Sequence, residues 1–458
     1  MKKIIYYMNI TALLGFLSTG MSCEDMIEAE IPANQIASET VYENVQTADA
    51  ALAGIYAGLW NNSPVSGDGL SLLLSLYTDD LDFYALASTN GTTEVFRNQL
   101  LPSNPVIYGQ WASAYQLIYS CNAVMEGCDS SPSLSVPDKT RIKGEALMIR
   151  SLLFFYLQQV FGDIPYPVTT NYLINQSISK TPSAEVLERI ESDLNDVIPM
   201  IADQYRNNER IYINKKAAQL LLAKVCMSQQ QWSEAEIHLK AVIQNPLYQL
   251  QNDLTKTFKK TSTNIIWQLK PANNGDAVKE VIAYYFDFIP PYNYALSSSL
   301  MGSFSASDLR KQRWTLPVTV AGTTWYRTAK YKNLSGNNDE YSVVFRIEEA
   351  YLLLAESLTM QNKTSEALPY LNSVRQRAGL GAISSPISQS NLLDQILSEN
   401  RKEFFTETGH RFFDMKRMNT LQQLILTKPN WKTAHQLWPV PEKELLLNPN
   451  LNPQNNGY

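Results

Sequence analysis

The sequence predicts an all-α chain, an α-α superhelix of tetratricopeptide-like helical hairpins, with an irregular, partly β insertion subdomain. Three observations carry that reading: a helical apolar period in nine separate stretches, an alanine–leucine spacing that occurs twice, and two long stretches where the period fades. Apolar residues recur every three to four positions through 48–60, 111–125, 142–161, 186–201, 217–227, 232–243, 347–359, 365–376 and 392–405, the interval that covers one face of a helix. Ala223 stands twelve residues before Ala235, with Leu239 four further on; Ala355 stands twelve before Ala367, with Leu371 four further on. That spacing lets small alanines bring two antiparallel helices together while leucines fill the groove. From about 247 to 341 the period gives way to prolines and short strand-like runs at 265–269 and 324–331, and a second irregular stretch spans about 61–105. Long inserts in a helical scaffold are usually functional, and the aromatic content of these two predicts ordered loops.

Composition narrows the function. The 458 residues are 45% hydrophobic and 18% charged, with a net charge of -6 and no long basic run, so the electrostatic footprint of a nucleic-acid binder is missing. The histidines are His238, His410 and His435, and none stands at metal-ligand spacing to a cysteine; no transition-metal site and no cofactor is expected. Cys121 and Cys128 lie too far apart along one helix for a disulfide and, with Cys226, are expected as buried thiols. A nucleophile elbow, a phosphate-cradling glycine loop and a zinc-protease helix are all missing from the sequence. Asp79 and Asp80 are a pair of carboxylates of the kind glycoside hydrolysis needs, but their separation is a spatial property.

The amino terminus reads as an export signal. Lys2 and Lys3 precede an apolar stretch at 4–16, and small residues lead to Cys23, an arrangement too short to span a bilayer as a helix. Cys23 is the expected lipidation site and first residue of the mature chain, although Gly20 stands where such signals usually carry Leu. Residues 1–22 are thus a signal peptide, 23–39 a polar tether beginning with Glu24 and Asp25, and 40–458 the folded domain.

Several segments, in order, resemble the SusD/RagB family. GEALMIRSLLFFYLQQVFGDIPYPV at 144–168 is similar to that family's most recognisable helix and turn; INKKAAQLLLAKVCMSQQQWSEAEIHLKAVI, FRIEEAYLLLAESL with ALPYLNSVRQRAGL, ENRKEFFTETGHRFFDMKRM and WPVPEKELLLNPNLNPQNNGY resemble its later segments. Thr408 stands where the family often has Glu, and Met418 near a usual aromatic. The resemblance implies a cell-surface lipoprotein of the outer membrane that binds a glycan, or alternatively a peptide, for a SusC-like TonB-dependent transporter, without catalysis. A helical-repeat adaptor and a secreted hydrolase are the competing classes; the export signal weighs against the first and the missing motifs against the second.

Within these motifs the residues read as scaffold. Glu399, Arg401, Glu403, Arg411, Asp414 and Arg417 alternate around a predicted helix whose Phe404, Phe405, Phe412 and Phe413 face a core, an ion-pair network tying helix ends together. Arg150 is expected to pair with Glu145 or a helix-end carbonyl, the turn at Gly162, Asp163 and Pro165 to stop a helix, and Trp111 and Tyr115 to serve packing. A glycan site needs flat aromatic faces beside planar hydrogen-bonding groups. The first insertion offers Asp79, Asp80, Tyr84, Phe96, Arg97 and Asn98; the second offers Tyr284, Tyr285, Tyr292, Tyr294, Trp325 and Tyr326, with Phe286, Phe288 and Trp314 beside them. The resemblance implies that the two regions lie side by side and build the site.

Overall fold

The computed structural model describes residues 38–85 and 90–458; the expected signal peptide, Cys23 and most of the expected tether lie outside them. Numbering the helices of eight residues or more, the chain runs through α1 (Val45–Asn61), α2 (Leu70–Tyr77), α3 (Pro105–Ser130), α4 (Val136–Phe161), α5 (Ser183–Met200), α6 (Lys215–Ser228), α7 (Trp232–Ile243), α8 (Ile347–Met360), α9 (Thr364–Arg377), α10 (Gln389–Phe404) and α11 (His410–Arg417). Starts are chemically marked. The side chains of Asn44, Asn104, Ser135, Asn214 and Ser388 accept a backbone N–H of the first turn, which satisfies a donor the helix cannot. Gly162, at φ 78°, ends α4 as expected.

Consecutive helices pack pairwise, α3 on α4, α4 on α5, α6 on α7, α7 on α8 and α8 on α9, giving the superhelix. Ala223, Ala235, Leu239, Ala355, Ala367 and Leu371 are fully buried, so the repeated spacing does mark close helix approach. Between the hairpins, β2 (Ile265–Leu269) pairs antiparallel with β6 (Ser342–Arg346). A four-stranded antiparallel sheet, in the order β1-β3-β5-β4, joins β1 (Leu81–Phe83), β3 (Tyr294–Leu296), β5 (Thr323–Thr328) and β4 (Thr315–Val320). Ala321 and Gly322, both at positive φ, make the two-residue turn of the β4–β5 hairpin, whose twist suits the strands. The two insertions therefore share one sheet, since β1 belongs to the first and its partner β3 to the second.

Four expectations need correction. The 61–105 stretch is not irregular throughout: α2 has every residue buried, so it shows no amphipathic stripe, and its Ser71, Ser75 and Thr78 hydroxyls donate to carbonyls four residues back, leaving nothing polar to mark the exposed face of a helix. The run at 324–331 is strand only as far as Thr328. Arg150 pairs with neither expected partner; it donates to Asn122 and Asp193, each at 2.8 Å, because Glu145, five residues before it, lies on another face of α4, where Glu145 accepts from Tyr56 at 2.7 Å. The charged helix at 399–417 is two helices. Between α10 and α11 the backbone is left-handed at Thr406, Thr408 and Gly409, and a Cβ at Gly409 would lie 2.4 Å from Leu74, so the turn closes against α2. All four phenylalanines around it are buried. Cys121, Cys128 and Cys226 are free and buried.

That turn is held by charge. Glu403 receives Arg310 at 3.0 Å, Arg346 at 2.5 Å and Arg377; Arg310 also reaches Asp308 at 2.8 Å and Glu399 at 2.6 Å, and Arg346 reaches Glu407 at 2.8 Å. Lys330 closes the cluster on Glu407 and on the Glu403 and Phe405 carbonyls. Burial works against the Glu403 charge, but the three guanidinium groups hold its carboxyl well below the usual range. Removing one member of a buried pair strands the others. Glu403→Gln is therefore expected to lower unfolding free energy by about 3 to 5 kcal/mol, measured by urea denaturation; an unchanged midpoint would deny the cluster its role. A second buried group has no cation of its own. Glu280, on the short helix Lys279–Tyr284, accepts from Ser342 through Oε1 while Oε2 has no partner, and Asp68, Glu407 and Lys330 stand around it. Burial pushes its carboxyl up to about 7. The folded state then keeps a proton that the unfolded chain releases near 4.5, so this group's stabilisation is complete below that value and falls as pH rises to about 7, by roughly 3 kcal/mol. Glu280→Gln is expected to remove that fall; identical pH dependence in wild type and variant would contradict it.

Candidate ligand-binding site

The shared sheet sets an aromatic surface. Residues alternate across a strand, so on β5 Trp325 and Arg327 project to one side and Tyr326 to the other. Tyr84, just past β1, meets Trp325 edge-on, with centroids 6.4 Å apart at 88°. Tyr285 lies beneath the Arg327 guanidinium, 4.5 Å from its carbon. Phe286, Ala295 and Val318 back Trp325 as a small separate core. Tyr84 and Tyr285 are 38% and 40% exposed, which leaves ring surface available beside a half-buried indole and a guanidinium. Tyr292, 79% exposed, and Phe288, 87% exposed at φ 59°, stand on the loop before β3. A positive φ at an aromatic residue is strained and uncommon.

This surface also carries a guanidinium. Arg327 makes no ion pair in the described structure and its Nε is buried without a hydrogen-bond partner; burial draws its pKa down, opposed by Tyr285 and Asp287. Burial raises Asp82 against the pull of Lys428. Burial likewise brings the Lys428 ammonium down to about 8, where it sits 3.9 Å from the centre of Phe96 and donates to the Leu76 and Phe96 carbonyls.

The expected residues divide accordingly. Tyr84, Tyr285 and Trp325 come together, with Tyr292 nearby in the chain. Tyr294 stacks on Phe83 at 5.6 Å and 28°, and Phe96 packs on Phe83 at 6.0 Å, so both support the sheet. Tyr326 packs against the main core from the opposite face, and Arg97 is exposed at the end of the Thr92–Arg97 helix. Six side chains are withdrawn. Asn98 is buried, donating to the Tyr77 carbonyl at 2.9 Å, and Tyr284, Phe286 and Trp314 are buried too; Trp314 donates to the Leu254 carbonyl at 2.9 Å. Asp80 is 1% exposed and bound to Arg401 at 2.9 Å, burial raising its carboxyl. Its neighbour Asp79 is 6% exposed, with Arg401, Arg411 and Ser299 at 3.1, 3.1 and 3.0 Å; burial opposes its charge, yet the two arginines hold its carboxyl below the ordinary value. These aspartates anchor α10 and α11 to the loop and are not free to work as an acid–base pair. Arg327 was missed, although it lies two positions from Trp325 in a run already read as strand. Among the described residues no group of His, Cys, Asp and Glu could hold a metal ion, and no helix is long and apolar enough to cross a membrane.

Comparison with known proteins follows the same architecture. Residues 305–458 match the SusD family, and residues 34–227 match a family described as starch-binding and associating with the outer membrane. The chain is 23% identical to SusD-like protein P25 of Formosa agariphila, over 98% of this chain and 99% of that protein, and 25% identical to SusD-like protein P2 of the same organism, over 96% and 98%. A SusD superfamily protein of Bacteroides vulgatus superposes with a TM-score of 0.80 at 20% identity, over 91% of this chain and 100% of that one. Surface glycan-binding protein A of Bacteroides thetaiotaomicron, solved with laminarihexaose, superposes with a TM-score of 0.77 at 19% identity, over 90% and 99%. At these identities the superpositions show the shared fold.

Proposed function

The chain belongs to the SusD/RagB family, and from that premise we propose that it is a non-catalytic receptor that binds an oligosaccharide or polysaccharide at the cell surface. The observation that carries this reading is the surface formed by Tyr84, Tyr285 and Trp325 around Arg327. Sugar rings offer apolar C–H faces to aromatic rings and hydroxyl edges to a planar donor, and the half-buried Arg327 guanidinium over Tyr285 is such a donor. Two structurally similar proteins support the ligand class, one solved with laminarihexaose and one described as laminarin-binding. The burial of Asp79 and Asp80 in ion pairs supports binding without hydrolysis. In this reading Cys23 carries a lipid anchor after removal of residues 1–22, residues 23–39 tether the domain to the outer membrane, and a SusC-like TonB-dependent transporter receives the ligand.

One observation favours a peptide as the second reading: the Arg327 guanidinium, which has no ion pair among the described residues, would also donate to a peptide carboxylate. Affinity electrophoresis against soluble polysaccharides, with peptides titrated by calorimetry, separates the two. Trp325→Ala and Tyr285→Ala are expected to weaken glycan retention about tenfold each without loss of folding, whereas Tyr326→Ala leaves it intact. Binding of peptides alone would overturn the glycan assignment.

A further inference from the structure

A second groove, sharing no lining residue with the aromatic sheet surface, opens between α3, the segment after α4 and the C-terminal tail. One hollow, of about 400 Å3, has Trp111, Tyr115, Tyr119 and Tyr172 among its walls. A second hollow of about 680 Å3 lies against Tyr42 and Gly127, and Tyr119, 54% exposed, lines both. The walls are fixed by hydrogen bonds across segments. Tyr115 donates to the Pro165 carbonyl at 2.8 Å, Asn122 to Pro167 at 3.1 Å, and Asn448 and Asn450 to the Ile178 and Ser177 carbonyls at 2.8 Å each. Such a groove is preformed, and binding in it need not order the chain.

Its polar lining offers acceptors. Asn175 donates its amide to the Thr169 carbonyl at 2.7 Å, which leaves Oδ1 buried with no partner. Glu444 already accepts from the Trp111 indole; burial raises its carboxyl, with Lys443 opposing. An unpartnered buried acceptor costs about 1 to 3 kcal/mol, a penalty that a hydroxyl-bearing ligand would relieve and an apolar helix from a partner would deepen. Tyrosine faces beside acceptors fit a hydroxylated ring, and two hollows on either side of one exposed tyrosine fit a linear chain of such rings.

We propose that this groove is a second carbohydrate-binding site, in which a linear oligosaccharide lies across Tyr119 and donates hydroxyls to Asn175 Oδ1 and Glu444. The ligand class rests on the receptor reading above; the location does not. A polysaccharide long enough to engage both surfaces would be held more tightly than either surface alone allows.

The test is native affinity electrophoresis of the full chain in laminarin, amylopectin, galactomannan and arabinoxylan, comparing wild type, Tyr285→Ala/Trp325→Ala, Tyr119→Ala/Tyr172→Ala and the four-site variant. Tyr119 and Tyr172 are 54% and 73% exposed, so their removal leaves the core untouched, and circular dichroism confirms folding. With the polysaccharide that retards the wild type, the expected result is residual retention in Tyr285→Ala/Trp325→Ala, a loss of about tenfold in Tyr119→Ala/Tyr172→Ala, and none in the four-site variant. Complete loss in Tyr285→Ala/Trp325→Ala, or full retention in Tyr119→Ala/Tyr172→Ala, overturns the second site while the receptor reading stands. Loss only in Tyr119→Ala/Tyr172→Ala supports the second site and removes the sheet surface. If no polysaccharide retards the wild type, both readings fall.

Discussion

Glu403 sits where three guanidinium groups from three parts of the chain converge: Arg310 from the second insertion, Arg346 from the end of β6, and Arg377 from the end of α9. With side chains at 0 to 1% exposure, these charges have lost their water, and their mutual attraction barely offsets that loss in general. What such a cluster provides is geometric selectivity: any rearrangement of the insertion against the hairpins would leave a bare charge in a medium that cannot screen it. A hydrophobic contact of equal area would tolerate sliding. This cluster does not, and the sheet surface is built on the insertion it fixes.

The same helix, α10, reaches the first insertion from its other side. Arg401, two residues before Glu403, binds Asp79 and Asp80, while Arg411 from α11 takes the other oxygen of Asp79. Both insertions are therefore referenced to one short stretch of backbone, and the pairing of β1 with β3 follows from that common anchor. The left-handed turn at Thr406, Thr408 and Gly409 aims Glu407 back at Arg346 and Lys330, so local strain there is held in place by the charges around it.

Much of this was legible in the sequence, and the limits are physical. Long helices declared themselves because an apolar period runs through eleven residues or more of each; α2 did not, because it is eight residues long and every one of them is buried. The phenylalanines of the 399–417 segment announced a core, but periodicity carries no mark of a turn that keeps its charged residues on the same side. The aromatic wealth of the second insertion pointed to the right region, yet Tyr284 and Tyr285 are adjacent and only the end of the short helix decides that the first is buried and the second partly open. Asp79 and Asp80 read as candidate ligand-site carboxylates since their arginine partners lie more than 300 residues away. Arg327 followed from strand alternation with Trp325, a pattern that was present and not used.

Those long separations bear on the order in which the molecule can assemble. The Tyr77 hydroxyl donates to the His435 carbonyl, and the backbone N–H groups of Trp438 and Glu442 donate to the Val160 and Pro102 carbonyls, so segments made early are closed by residues made late. Chain threaded through a membrane from its amino terminus would present α2 and β1 long before Arg401 emerges to neutralise Asp79 and Asp80. Contacts so remote in sequence form slowly, since a large loop must close before any is rewarded. Until then the aspartates remain hydrated and the sheet lacks its reference, so the surface formed by Tyr84, Tyr285 and Trp325 is assembled only once the late helices are in place.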